Sequence, residues 1–192
     1  MLKIGITGGI GSGKSIVCKI LESMNYPVFY SDREAKIIIK ENLDVRSEII
    51  RLFGNDIYHG DQLNSKLLAQ IIFNDADALK RVNAIIHPRV RNSFTDYADQ
   101  QDSQYVFNEA AILIESGGYK QMDTVVLISA PVELRISRVM LRDACTEDEV
   151  KERISKQWAD NQKRKYCDFE IVNANNLALL GQVESLIEGL KK

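Results

Sequence analysis

Eight residues near the start, Gly8-Gly9-Ile10-Gly11-Ser12-Gly13-Lys14-Ser15, combine the residue types that hold a triphosphate. Two glycines separated by four residues and followed by Lys-Ser form the phosphate-loop pattern. Gly8, Gly9, Gly11 and Gly13 permit positive φ and carry no Cβ, so successive backbone N–H groups can turn inward as a cradle for phosphate oxygens. Lys14 and Ser15 would open a helix whose N-terminal partial charge favours an anion. There the ammonium reaches the β- and γ-phosphates and the hydroxyl can ligate Mg²⁺. The alternative is a Gly-rich turn that happens to contain Lys-Ser.

The flanking elements fit the loop. Leu2 to Thr7 reads as a short buried strand, and Ile16, Val17, Ile20 and Leu21 follow at helical spacing, giving strand, loop and helix in the required order. Pro27 to Tyr30 reads as a second strand with Ser31-Asp32 at its carboxyl end, before a helix opening at Arg33. Ligands of open α/β sheets bind beyond the carboxyl ends of the strands, so Asp32 falls on the edge that carries the loop. Ser31 or Asp32 could equally be a helix cap, and capping and catalysis do not exclude each other.

From Ala35 to Ala98 the pattern reads as helical throughout, with breaks at Gly54, at Gly60-Asp61 and at His87-Pro88. About 60 residues between two strands exceed a simple crossover, which suggests a subdomain able to hold an acceptor. The residue before proline is pushed away from helix, placing His87 at a helix junction as a structural or a substrate-lining imidazole. His59 reads as part of an exposed turn.

Tyr105 to Phe107 is a third strand, followed by Glu109 and Glu115 as acidic candidates or surface charges. Asp123 to Ile128 is a fourth, apolar strand of the kind buried in a parallel sheet. It ends at Ser129, without the acid of a Walker-B strand. The helix from Pro131 to Arg142 carries Arg135, Arg138 and Arg142 on one stripe, which is a solvated face or a clamp for phosphoryl charge. Thr146 to Glu149 reads as a capping box opening a further helix, and the two Arg-rich helices suggest a mobile lid. Lys163-Arg164-Lys165 reads as a solvated basic run. Phe169 to Val172 is the last strand, followed by Asn173 and a closing amphipathic helix. Alternating strands and helices imply a doubly wound, mainly parallel five-stranded α/β sheet.

Composition narrows the partners. A length of 192 residues suits one domain with an insertion, and 25 basic against 27 acidic residues give no global attraction to nucleic acid or an anionic membrane. No apolar run approaches the ~20 residues that span a bilayer, so the cytoplasm is the default expectation. Cys18, Cys145 and Cys167 are widely spaced and lack CxxC pairing, which argues against a disulfide framework or a zinc site. A GTPase base-reading motif is absent, as is the second lysine of a nucleotide-gated interaction ATPase. A small-molecule kinase needs a loop, Mg²⁺, lid arginines and a carboxylate to orient the acceptor hydroxyl, and each has a candidate here.

The ordered set Ile6 to Ser15, Ser31-Asp32, Phe53-Gly54, Leu63 to Leu68, Asn83 to Pro88, Ile112 to Glu115, Arg138 with Arg142, Arg153 with Gln157, and Ile171 to Asn173 resembles the dephospho-CoA kinase family. The resemblance runs over essentially the whole chain. It implies a phosphate-loop kinase fold over residues 1–192, with a helical acceptor-binding insertion over 33–101 and an arginine-rich lid over 131–166. It implies ATP-dependent phosphorylation of the ribose 3′-hydroxyl of dephospho-CoA; the alternatives are another small-metabolite kinase or a nucleotide-gated ATPase. By the same resemblance Gly11, Ser12, Gly13, Lys14, Ser15 and Ile16 would hold ATP, with Ser15 on Mg²⁺. Arg138 and Arg142 would close over the phosphates and Asn173 would lie near adenine. Asp32, Lys14 and Arg142 would be catalytic, and His87, Pro88, Glu115 and Lys66 would face the acceptor. A monomer or weak homo-oligomer, with no nucleic acid or membrane partner, is expected. Four positions depart from the family pattern: Tyr30 for a common Asp, Ile16 for Thr, Ala111 for Pro, and Ser65 for Arg, where Lys66 would supply the charge.

Overall fold

The computed structural model of the chain describes residues 1–60 and 62–191. In chain order the elements are β1 (Leu2–Thr7), α1 (Lys14–Ser23), β2 (Val28–Tyr30), α2 (Ser31–Glu41), α3 (Leu43–Phe53), β3 (Tyr58–His59), β4 (Gln62–Leu63), α4 (Ser65–Asn74) and α5 (Ala76–Asp99). There follow β5 (Tyr105–Glu109), β6 (Thr124–Ser129), α6 (Val132–Asp143), α7 (Glu147–Ser155), α8 (Asp160–Lys163), β7 (Phe169–Val172) and α9 (Leu179–Gly189). Two compact units result, one made of Met1–Tyr30 with Gln100–Lys192, the other of Ser31–Asp99.

The first unit is a five-stranded sheet in the order β2-β5-β1-β6-β7, with every pairing parallel. This is the expected doubly wound α/β sheet, and β1, which feeds the phosphate loop, lies at its centre. Side chains alternate across a strand. On one face Ile4 and Ile6 join Val126, Ile128 and Ile171 in a core with Val17, Cys18 and Leu21 of α1 and Val183, Leu186 and Ile187 of α9. Burying each such aliphatic side chain contributes about 1.5–3 kcal/mol. Cys18 is a small apolar member of this core. On the other face Gly5 has no room for a Cβ, because Leu113 and Met122 occupy the space.

The second unit is helical except for one hairpin. Asn42 caps α3 by accepting from Val45 N at 3.0 Å, and Asn64 caps α4 by accepting from Leu67 N at 3.1 Å. The stretch from Ala35 to Ala98 is therefore not helical throughout. β3 and β4 pair antiparallel around Gly60, whose φ of 57° is one that glycine adopts without cost, while Asp61 of the expected break lies outside the described residues. His59 is exposed beside that turn.

The expected break at His87-Pro88 is also absent. α5 continues through Pro88, which stands exposed inside the helix. The bond that a Pro88 N–H would have made is lost. Nearby, Arg89 Nη1 donates to the Ile85 carbonyl at 2.6 Å while Arg89 Nη2 holds Glu48 at 2.6 Å. A buried flank of Val82, Ile85, Ile86, Val90 and Phe94 runs past the proline and keeps the helix going by tertiary packing. Pro88→Ala should therefore raise unfolding free energy by about 1–3 kcal/mol, since interior proline costs about 3 kcal/mol relative to alanine; a chemical melt showing no gain would mean that α5 carries no residual cost from the ring.

His87 is half-buried on the same helix. Desolvation, reinforced by the positive charge of Arg91 one turn on, pushes its pKa below the ordinary histidine value. The unfolded chain thus takes up the proton first, so stability should fall as pH drops below about 6.5 toward the lower folded value. Urea melts between about pH 7 and pH 5 should show this slope, and His87→Gln should flatten it.

Candidate active site

The loop between β1 and α1 owes its shape to glycines and to the side chains packed behind it. Gly11 and Gly13 have φ of 77° and 95°, values that L side chains rarely adopt. A Cβ on Gly11 would stand 2.6 Å from the Arg135 carbonyl oxygen, and one on Gly13 would run into Asn173 Nδ2. The loop therefore has to be bare on the side facing α6 and the end of β7. Three protein groups grip its backbone there. Asn173 Nδ2 donates to Ser12 O at 2.9 Å, Arg135 Nε donates to Ile10 O at 2.9 Å, and Gln157 Oε1 accepts from Ile10 N at 2.8 Å. With its carbonyls held from behind, the loop can present its remaining amides to an anion.

Lys14 is tucked against this loop. Its Nζ donates to Gly8 O at 2.9 Å and lies 3.8 Å from Glu109 Oε1, with both side chains largely buried. Glu109 ends β5, in register with Ile6 of β1 and Tyr30 of β2. An acid therefore does stand beside the phosphate loop, but on the strand at the other flank of β1 from the one expected to carry it. The signal was present in the run Tyr105 to Glu109, which is a two-residue longer strand than its apolar core suggests. Ser129, at the end of β6, instead donates to Glu170 Oε1 at 2.7 Å. Ser15 and Ile16 are exposed on the first turn of α1.

The three arginines of α6 do not act as one stripe. Arg135 is 4% exposed, bound to Ile10 O and ion-paired with Asp160 at 3.5 Å. Burial pushes the Asp160 carboxyl up against the pull of Arg135. Arg138 donates to Asn173 through Nη1 to the carbonyl at 3.3 Å and Nη2 to Oδ1 at 3.2 Å. The Asn173 amide is thus engaged on both its atoms, with the loop and with Arg138. Arg142 is the most exposed of the three and forms a bidentate pair with Asp143, which also receives Arg153 Nη1 at 2.7 Å. Two guanidiniums hold the Asp143 carboxyl far below the usual carboxylate range.

The segment after α7 is clasped to the sheet. Lys163 is fully buried, with Nζ 3.0 Å from Glu115 Oε1 and 2.9 Å from Ala111 O. Glu115 Oε1 also accepts from Trp158 N at 3.0 Å. Lys163 is therefore no solvated charge. Its ammonium finds a carboxylate and a carbonyl, the pairing that a buried cation requires. Arg164 of the same run is bidentate to Glu170 at 2.7 Å. The expected capping box at Thr146 and Glu149 is present.

In the helical unit Asp32 is the second residue of α2, inside its first turn, where the helix dipole favours a carboxylate. Lys36 and Lys40 follow at one and two turns on the same face. Both line a cavity of about 570 Å³ together with Ile39, Leu63, Leu68 and Ile72. Ser65 lines it as well, and Lys66 is exposed on the first turn of α4. The cavity's cations are thus Lys36 and Lys40, which the stepping of four from Asp32 could have revealed. His87 and Pro88 stand at the middle of α5.

The model of the dephospho-CoA kinase family matches residues 2–178. A dephospho-CoA kinase of Bacteroides fragilis is 40% identical over 97% of this chain and 91% of its own length. A solved structure from Thermus thermophilus has a TM-score of 0.90 at 32% identity, covering 100% of this chain and 98% of that one. The dephospho-CoA kinase from Campylobacter jejuni has a TM-score of 0.70 at 27% identity, over 98% and 96%. A match of this extent and identity shows that the chain belongs to the dephospho-CoA kinase family.

Proposed function

We propose that this kinase transfers the γ-phosphoryl group of ATP to the ribose 3′-hydroxyl of dephospho-CoA, giving coenzyme A and ADP as the last step of coenzyme A synthesis. The observation that carries the donor half is the braced loop with Lys14 held between Gly8 O and Glu109. Gly11, Ser12, Gly13, Ser15 and Ile16 would offer backbone amides to the phosphates, those of Ser12 and Ile16 by sharing or releasing their bonds to Gly9 O at 3.1 Å and Gly13 O at 3.0 Å. Lys14 would exchange loop carbonyls for the oxygens of the transferring group, a charge-assisted bond for a neutral one. The exposed Ser15 hydroxyl and the Glu109 carboxylate are hard oxygen donors of the kind that suit Mg²⁺, which when bound neutralises charge on the phosphates. Arg138 and Asn173 would brace the loop from behind rather than read the base, since their polar atoms bond to each other and to Ser12. Arg142, the most exposed arginine of α6, would close over the transferring charge.

For the acceptor half, we place the substrate in the helical unit. Asp32 would take or orient the proton of the attacking hydroxyl. The cavity lined by Lys36, Lys40 and Ser65 lies within the 300–1,000 Å³ of small-molecule sites, with cations for phosphate groups and apolar walls for a longer arm. Lys66, His87 and Pro88 belong to this acceptor side. Glu115 would serve it indirectly, through the segment it anchors with Lys163. The insertion would then comprise residues 33–101 and the lid 131–166. A net charge of -2 and the lack, among the described residues, of a helix long and apolar enough to cross a membrane accord with a cytoplasmic enzyme. It would act as a monomer or weak homo-oligomer, without nucleic acid or membrane partners.

The direct test is ADP release from ATP and Mg²⁺ with a panel of hydroxyl acceptors, in which dephospho-CoA should be the preferred one. Asp32→Asn should keep ATP binding and lower turnover by about 10²-fold or more, the scale of a positioned acid–base group; unchanged turnover would remove Asp32 from the chemistry. Arg142→Lys should lower turnover by about tenfold at an unaltered melting temperature, because a point charge replaces a planar fork. Normal kinetics in that variant would leave Arg142 as a surface partner of Asp143.

A further inference from the structure

Ile10 is held by both its backbone polar atoms, one in each of the two peptide groups that flank its Cα. Its carbonyl accepts from Arg135 Nε at 2.9 Å, and its N–H donates to Gln157 Oε1 at 2.8 Å. Ile10 is the third residue of the phosphate loop, whereas Gln157 lies 147 positions later, just after α7. Arg135 also reaches Asp160, three residues beyond Gln157. The contacts therefore close a ring from Ile10 through Arg135 and Asp160 back along the chain to Gln157 and Ile10. The run inside the ring is anchored again where Trp158 N and Lys163 Nζ meet Glu115. The Gly9–Ile10 peptide, held at its N–H, and the Ile10–Gly11 peptide, held at its carbonyl, cannot turn about the Ile10 Cα unless this run moves with them or one of the two bonds breaks.

The two acceptors open to the Ile10 N–H differ in strength. A side-chain amide oxygen is neutral, while a phosphate oxygen is ionised and forms a hydrogen bond roughly twice as strong. A triphosphate entering the loop thus pulls on the Gly9–Ile10 peptide, which Gln157 holds in place for it. We propose that Gln157 is a positioning residue that couples anion binding in the phosphate loop to the segment over residues 156–163. The proposal rests on the triphosphate reading of the loop and assigns a residue outside the loop to its control.

Trp158 makes the coupling observable. It is the chain's single tryptophan, adjacent to Gln157, 40% exposed, with its ring centroid 5.8 Å from that of Tyr166. Titrating the protein with ADP and Mg²⁺ should produce a saturable change in tryptophan emission that tracks binding measured by calorimetry. Gln157→Met keeps the length of the side chain and removes its acceptor. In that variant ADP affinity should fall about 3–10-fold, the worth of one hydrogen bond, and the emission change should disappear. KM for ATP should rise while KM for dephospho-CoA holds, a split that a merely structural role would not give. If the methionine variant does not fold, Gln157→Asn, which withdraws the same amide by one carbon, should show the same loss. An undiminished emission change in the folded variant, or ADP binding to the wild type without any emission change, overturns the coupling. Calorimetry showing no ADP binding to the wild type overturns the triphosphate reading and the coupling with it.

Discussion

A loop that gives most of its amides to a ligand keeps few with which to hold itself together, and much of the first unit follows from that constraint. Buried backbone groups have to be paired. Beside one turn bond from Ser12 N to Gly9 O, the pairing is supplied by side chains from distant parts of the chain: Arg135 of α6 and Gln157 for the two peptides flanking the Ile10 Cα, and Asn173 after β7 for Ser12 O. Each brace needs support of its own, and Asp160 and Arg138 provide it. The glycines are the other half of the bargain, since a Cβ at Gly11 or Gly13 would occupy the space that the braces use.

Charge is deployed along the chain according to depth. Lys163 is fully buried and meets a carboxylate and a carbonyl, so removing either charge would strand the other at about 3–5 kcal/mol. Arg142, Asp143 and Arg153 form a triad at the surface, where solvent screens the pairs and leaves their geometry free to change. The first kind of pair fastens the segment after α7, and the second joins α6 to α7 at the surface.

Sequence reasoning reached the fold because strands, glycine loop and helices all obey short-range rules. The apolar runs at Leu2 to Thr7 and Thr124 to Ser129 are strands buried in a parallel sheet, and the capping box at Thr146 starts α7. It failed where tertiary contacts override a local rule. Pro88 does not stop α5, because Val82, Ile85, Ile86 and Val90 are buried along it. Glu109 read as an acidic candidate or a surface charge, since only the sheet order sets β5 beside β1. The arginines at 135, 138 and 142 share a helical face in the sequence, yet they end up with different partners because the loop, Asn173 and Asp143 lie at successive heights along α6. Such depth is invisible to periodicity.

The sheet order also has a temporal meaning. β1 holds residues 2–7, but its two neighbours are β5 and β6, which begin at Tyr105 and Thr124. During synthesis the contiguous stretch Ser31–Asp99 is complete before either neighbour exists. The nucleotide loop, although it is among the first residues made, gains its Asn173 brace only when almost the whole chain is available. Long-range parallel pairing of this kind is slow to form, because the loop-closure entropy is lost before the contacts that reward it arise. Contacts within Ser31–Asp99 are local enough to form in the meantime, so the fully braced loop is among the late features of the emerging chain.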